Sequence, residues 1–255
     1  MMTPALWREL DDAINRLEAL LPGQDPDRKC VGHWTVHDTA AHLLDGLRLH
    51  ADILRGTPSP VDLDAPDDYA TKGIAACTGM SLTEIGAEIG GSWRSFRDEA
   101  ESHPENDELP WHSGKPIGAH TLIALAVAEV VLHGFDIHSA AGSVYRPSDA
   151  LAAAVLLAVV PVAALLQPEA QVPRVELRLR RHGSVFLHRA NGRLIVGTQR
   201  WAGPPDCVLI IEPLAALMFS YGRYGLARAM LTGLPLAYGL RPWTALSLRR
   251  MRPTT

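Results

Sequence analysis

The sequence predicts a four-helix bundle followed by a small α+β domain, and three observations predict it. Apolar residues recur at three- and four-residue spacing along the first half of the chain. The stretch from Gly118 to Asp136 is apolar on nearly every side, the mark of a helix buried in a core. From Val144 onward the pattern changes to polar–apolar alternation cut by turn residues, which reads as strands.

Composition narrows the function classes. The 255 residues suit one large domain or two ordinary ones. Hydrophobic residues at 47% and charged residues at 20% supply a core and exclude a disordered chain. A net charge of -4 argues against a nucleic-acid binder. Cys30, Cys77 and Cys207 are sparse, odd in number and without a CxxC pair, which fits a reducing cytoplasm better than a disulfide framework or a cysteine zinc site. The opening MMTPALWRELDD has no apolar core of a signal peptide. The longest uncharged apolar run, Ala150 to Leu166, is interrupted by Pro161 and falls short of the ~20 residues a membrane span needs. It reads as a core helix, and no membrane partner is expected.

Taken in order, Leu6, Leu10, Ile14, Leu17 and Leu21 mark an amphipathic first helix ended by Pro22-Gly23, with a polar loop to Trp34. Thr35 and Asp38 form a capping box that opens a second helix to about Arg55. Val36, Ala40, Leu43, Leu47 and Leu54 line one side of it; His42, Gly46, Leu49 and Ile53 line the other, with His50 between them as a rim residue. Residues 57–80 read as a long connection. Ser81 and Glu84 cap a third helix with Leu82, Ile85, Ile89, Trp93 and Phe96 as its core stripe. A second polar connection, 101–117, leads to the apolar helix, for which Gly142 is the expected C-cap. After it come a helix from Pro147, strands at Arg174–Arg180, Ser184–His188, Leu194–Gly197 and Cys207–Ile211, a helix from Pro213, and a last strand at Ala245–Arg249. The domains are therefore 1–143 and 144–255.

The apolar helix carries Glu129, His133 and Asp136 along one stripe. A carboxylate there must be paired or hold a metal. Two readings stand: a buried Glu–His pair, or two ligands of a divalent ion to which His42 adds a third. The flanking text adds to this. Cys30-Val-Gly-His-Trp34-Thr-Val-His-Asp38-Thr-Ala-Ala-His42-Leu43 and Glu129-Val-Val-Leu-His133-Gly134-Phe-Asp136 resemble two segments of the mycothiol-dependent maleylpyruvate isomerase family, in the same order.

The resemblance implies a DinB-like metal-binding bundle followed by a sterol-carrier-like α+β domain. It implies a divalent metal, usually zinc, held by His42, Glu129 and His133, with Asp136 behind the ligands and Trp34 and Asp38 structural. It implies mycothiol or a similar small thiol as cosubstrate and a small electrophile as substrate. A thiol meeting such a cation loses its proton, and the thiolate can isomerise an activated double bond or remain attached, as in an S-transferase. A substrate carboxylate would call for an arginine. Arg223 in Tyr221-Gly-Arg223-Tyr224 resembles a Gly-Arg element of the family; Arg48 and Arg94 are weaker candidates, and Cys30 is read as structural. A rival class is a non-catalytic protein that binds metal in the bundle and an apolar ligand in the second domain.

Overall fold

The computed structural model describes residues 2–104, 107–168 and 172–244. The strand expected at Ala245–Arg249 lies outside them. The chain divides into two compact units, Met1–Arg146 and Pro147–Thr255.

In the first unit α1 is Pro4–Leu20, begun by Thr3, whose hydroxyl accepts from the Leu6 amide, and by Pro4, which is pre-set for a first turn. Its predicted apolar stripe is buried. A 3-10 turn, Leu21–Gly23, closes it. The loop expected before Trp34 is instead a short antiparallel hairpin, β1 (Lys29–Val31) with β2 (Trp34–Thr35). Two residues with almost no alternation leave no strand signature in sequence. The hairpin matters because it delivers Trp34 and the cap of α2 (Val36–Leu54). Both halves of that cap are made: Thr35 Oγ1 accepts from Asp38 N at 3.1 Å and Asp38 Oδ2 from Thr35 N at 2.9 Å.

The connection 57–80 is not structureless. It contains α3 (Pro66–Ala76), which starts at a proline and has Asp67 and Asp68 in its first turn. Only Gly73 of α3 is buried, so no apolar stripe announced it. The helix lies so close to α2 that a Cβ at Gly73 would sit 2.4 Å from Asp45 Oδ2. Next comes α4 (Leu82–Ser102), capped reciprocally by Ser81 and Glu84 as expected. The second connection holds another hairpin, β3 (Glu108–Pro110) and β4 (Pro116–Gly118), around a 3-10 turn at His112–Gly114.

The apolar helix is α5 (Ala119–Ala140). Helix α2 packs on both α4 and α5, and α1 on the same two, so α5 is enclosed within the bundle. It is long and apolar enough to cross a membrane, but 72% of that window is buried against its own neighbours. At its end Gly142 adopts φ 70°. The amides of Gly142 and Ser143 return to the carbonyls of Ser139 and His138, the double closure that a left-handed residue permits.

In the second unit α6 (Asp149–Val159) and α7 (Val162–Leu166) replace the single helix expected through Leu166. Pro161 lacks an amide and crowds the preceding turn, so the helix breaks there. The strands are β5 (Val175–Leu179), β6 (Gly183–Ala190), β7 (Arg193–Gly197) and β8 (Cys207–Ile211). After α8 (Pro213–Ser220) and α9 (Leu226–Gly233), strand β9 (Leu236–Tyr238) completes a five-stranded sheet of order β7-β6-β5-β8-β9. Only β5 and β8 run parallel. Asn191 and Gly192, with φ of 51° and 78°, make the β6–β7 turn that their pairing in sequence predicts. Val175, Val185, Leu187, Leu194 and Cys207 form the core on one face, with Leu157 of α6 packed on it. Strand β5 was expected to be half-buried; Glu176 on its polar side is buried as well, held by Arg178 at 2.8 Å and Ser184 at 3.0 Å.

Replacing Ser81 by Ala removes one side of the α4 cap. Urea unfolding is expected to show a loss of about 1 kcal/mol with an unchanged m-value.

Candidate metal centre

Helix α5 brings Glu129 and His133 to one face because they are one turn apart. Helix α2 supplies His42 from the second turn after its cap. The helices meet where α2 is thinnest: a Cβ at Gly46 would lie 3.9 Å from Glu129 Cγ. There the His42 Nε2 is 3.5 Å and the His133 Nε2 3.0 Å from the same oxygen, Glu129 Oε2. One ligand atom from each of the three residues lies within 4.8 Å of the others. The two imidazole planes are perpendicular, with centroids 5.1 Å apart.

Two observations test whether this set fits a divalent ion. A tetrahedral centre with ligand bonds of about 2.1 Å spaces its ligand atoms about 3.4 Å apart, close to the 3.5 and 3.0 Å that separate the two histidine nitrogens from Glu129 Oε2. And although both imidazoles crowd Glu129 Oε2, that buried oxygen is left without a well-aligned hydrogen bond. Three donor atoms converge on a point rather than pairing along N–H···O lines. The residues fit a cation. Side-chain exposure falls from 31% at Glu129 and 21% at His42 to 7% at His133, so the site opens on the Glu129–His42 side.

Neighbours hold the ligands in place. Asp136 Oδ2 lies 3.3 Å from His133 Nδ1 and is itself buried. This is the carboxylate–imidazole arrangement that orients a metal-binding histidine. The Trp34 ring stands 4.6 Å from His42 and 6.1 Å from His133, so its packing role is exercised on the ligands themselves. Burial alone would push Glu129 upward, but the His133 and His42 imidazoles beside it hold its carboxyl well below the usual carboxylate range. Burial likewise pulls His133 down, yet the Asp136 and Glu129 carboxylates outweigh it and raise it to about 9.

The other residues singled out in the sequence fall elsewhere. Arg223 belongs to the second unit, in the turn after α8, where its Nη1 donates to the Tyr221 carbonyl at 2.9 Å. Arg48 pairs with Glu88 on the surface at 2.6 Å, and Arg94 is exposed. Cys30, in β1, is not disulfide-bonded. His50 is not a rim residue. It is 6% exposed, and its Nδ1 donates to the Gly46 carbonyl at 2.6 Å. His42, Gly46 and His50 repeat at four-residue intervals along one face of α2, and that spacing is the signal that could have found it. His112, in the turn between β3 and β4, is pulled down to about 3 by burial. That turn carries no periodic signal.

The raised His133 sets a pH dependence. Its folded value of about 9 exceeds the ordinary histidine value of 6.5, so in metal-free protein its stabilisation is full below 6.5 and fades as pH rises through 9. Glu129 is depressed, so its contribution is present above 4.5 and fades as pH falls toward its lowered value. A cation must displace the His133 proton. Calorimetry of zinc binding at pH 7.5 in buffers of different ionisation enthalpy should therefore show about one proton released per ion; release of none would mean His133 is already neutral.

Residues 4–138 match the family described as the mycothiol maleylpyruvate isomerase N-terminal domain. No curated protein matches the chain in sequence. Among solved structures, the mycothiol-dependent maleylpyruvate isomerase and a histidine-to-alanine mutant of it share this fold, each with a TM-score of 0.54 over 86% of this chain and 88% of the other, at 12% identity. At that identity the structural likeness is one of fold, while the sequence match spans the bundle that carries His42, Glu129 and His133. The chain belongs to the mycothiol maleylpyruvate isomerase N-terminal domain family.

Proposed function

We propose that the protein is a zinc-dependent enzyme that uses mycothiol, or a similar small thiol, to isomerise a small electrophilic double bond from cis to trans. The observation that carries this reading is the convergence of His42, Glu129 and His133 at a point that solvent can reach. In it, 1–143 is the catalytic metal domain and 144–255 a sterol-carrier-like domain. The proposed setting is the cytoplasm, where the three cysteines, none of them in a disulfide, and a thiol cosubstrate stay reduced.

When bound, the cation would favour the thiolate form of a thiol that reaches its open side. The protein's own groups do the rest. His42, Glu129 and His133 hold the ion, and two neutral imidazoles with one carboxylate leave it a net positive charge. Asp136 fixes the His133 ring and, with the proton on Nδ1, keeps Nε2 free to ligate. Trp34 covers the imidazoles and limits water at the nucleophile. Arg223 binds a substrate carboxylate with its planar fork. Addition of the thiolate makes the double bond single, rotation follows, and expulsion of the thiolate completes the isomerisation. If the adduct were released instead, the same site would be an S-transferase.

A second reading is favoured by exposed apolar side chains in the second unit, among them Met230, Leu231, Leu234 and Leu236. They would suit a protein that binds an apolar ligand without catalysis. Metal analysis and a thiol-dependent ultraviolet assay with maleylpyruvate separate the two. The parent should carry roughly one zinc per chain, and His42→Ala should lose most of it and at least about 100-fold in rate. Equal occupancy in both would remove His42 from the site. Metal without thiol-dependent turnover on maleylpyruvate or a panel of electrophiles would favour the binding protein.

A further inference from the structure

A cavity of about 280 Å³ in the first unit shares no lining residue with the metal centre. Its floor is α1. Ala5, Glu9 and Ala13 recur there at four-residue intervals, and so do Arg8, Asp12 and Arg16 on the next stripe. The two alanines leave room that longer side chains would fill. Tyr145 and Arg146, in the chain after α5, form the wall. The volume lies at the small end of ligand sites, which limits an occupant to a small molecule.

Three guanidiniums line this cavity with no carboxylate to hold them. Among the described residues, the side chains of Arg8, Arg16 and Arg146 make no ion pair or hydrogen bond. Arg8 and Arg16 each stand four residues from Asp12, the spacing at which opposite charges on a helix commonly pair, yet neither pairs with it. Tyr145 supplies a second, independent observation. It is 8% exposed, and its buried hydroxyl has no hydrogen-bond partner in the protein. Packing fixes the ring instead. The α5 backbone comes close, since a Cβ at Gly134 would lie 3.4 Å from Tyr145 Cε1. The His138 ring stacks on it with centroids 5.5 Å apart. His138 is itself anchored, its Nδ1 2.8 Å from Ser143 Oγ, which donates to the His138 carbonyl at 3.1 Å. A buried hydroxyl that bonds nothing is costly, and folded proteins rarely leave one so. A ligand in the cavity that Tyr145 lines would give it a partner. Burial, then Glu9, raise the phenol above its ordinary value against the pull of Arg16, so the hydroxyl keeps its proton and can donate.

The lining charges select the ligand. Three arginines against two carboxylates, Glu9 and Asp12, leave one net positive charge, which a monoanion balances. The planar fork of arginine matches a carboxylate. Asp12 can only accept, so the rest of the ligand must donate. Hydroxyls do this and keep the ligand at one charge; an ammonium would leave the positive charge of the lining unbalanced. We propose that this cavity binds a small hydroxylated monocarboxylate, with its carboxylate on the arginines and the Tyr145 hydroxyl and its own hydroxyls on Asp12. The site is separate from the thiol chemistry proposed above and does not depend on it.

Calorimetric titration of the full chain with three probes tests this. The probes are gluconate, sorbitol, which keeps the hydroxyls and lacks the carboxylate, and inorganic phosphate. Gluconate should bind once per chain, at least about tenfold tighter than sorbitol and tighter than phosphate. Arg16→Gln and Tyr145→Phe should each weaken gluconate about tenfold, with zinc content unchanged. A further readout uses no ligand. Tyr145→Phe removes a hydroxyl that bonds nothing in the protein, so its unfolding temperature should equal or exceed the parent's. A fall of several degrees would show that the hydroxyl already has a partner, and would remove Tyr145 from the site. Absence of saturable gluconate binding by the parent overturns the site. Equal binding of gluconate and sorbitol overturns the carboxylate assignment, and tighter binding of phosphate overturns the choice of a monoanion. Weakening by Arg16→Gln alone overturns the role given to Tyr145.

Discussion

A carboxylate placed in the middle of an apolar helix must find positive charge, and the first unit is arranged around that need. Helix α5 buries residues on nearly every side, and Glu129 would be costly there if it stood alone. Part of the compensation is local, from His133 one turn on. The rest comes from His42 on α2. Several features of α2 serve this meeting: a double cap that starts the helix at Val36, a glycine at 46 that lets the backbones approach, and the β1–β2 hairpin that sets Trp34 over the imidazoles. Each would be an ordinary detail of a bundle. Together they aim three donor atoms at one point.

Charge is graded around that point. Glu129 and His133 form a tight ionised pair in which each shifts the other toward its charged form, and Asp136 adds to the pull on His133. A few residues along α2, and across in the β3–β4 turn, the histidines are driven the other way and stay neutral. The same residue type therefore does opposite work within one site. What decides is whether carboxylates face the ring closely enough to outweigh burial.

The parts of the fold most legible in sequence are those whose cause is local. The caps at Thr35 and Ser81, the apolar stripes of α1, α2 and α4, the closure at Gly142 and the Asn191-Gly192 turn all follow from a few neighbouring residues. What escaped has non-local causes. Helix α3 has no buried stripe and is held by its fit against Asp45. The hairpins β1–β2 and β3–β4 are too short to alternate. Strand β9 forms only because β8 offers it an edge. The Ala150–Leu166 run reads as one helix by composition but breaks where the Pro161 ring meets the preceding turn.

For the site the same division holds. By itself the sequence determined that Glu129, His133 and Asp136 share a face, because helical spacing is set by the backbone and needs no partner. It also determined that His42 lies on the second side of α2, away from that helix's main apolar stripe. Only the tertiary structure decided that these two faces meet and that His50 is enclosed rather than at a rim. The reason is physical: which faces touch depends on how side chains from distant segments fill a shared volume, and no run of neighbouring residues carries that information.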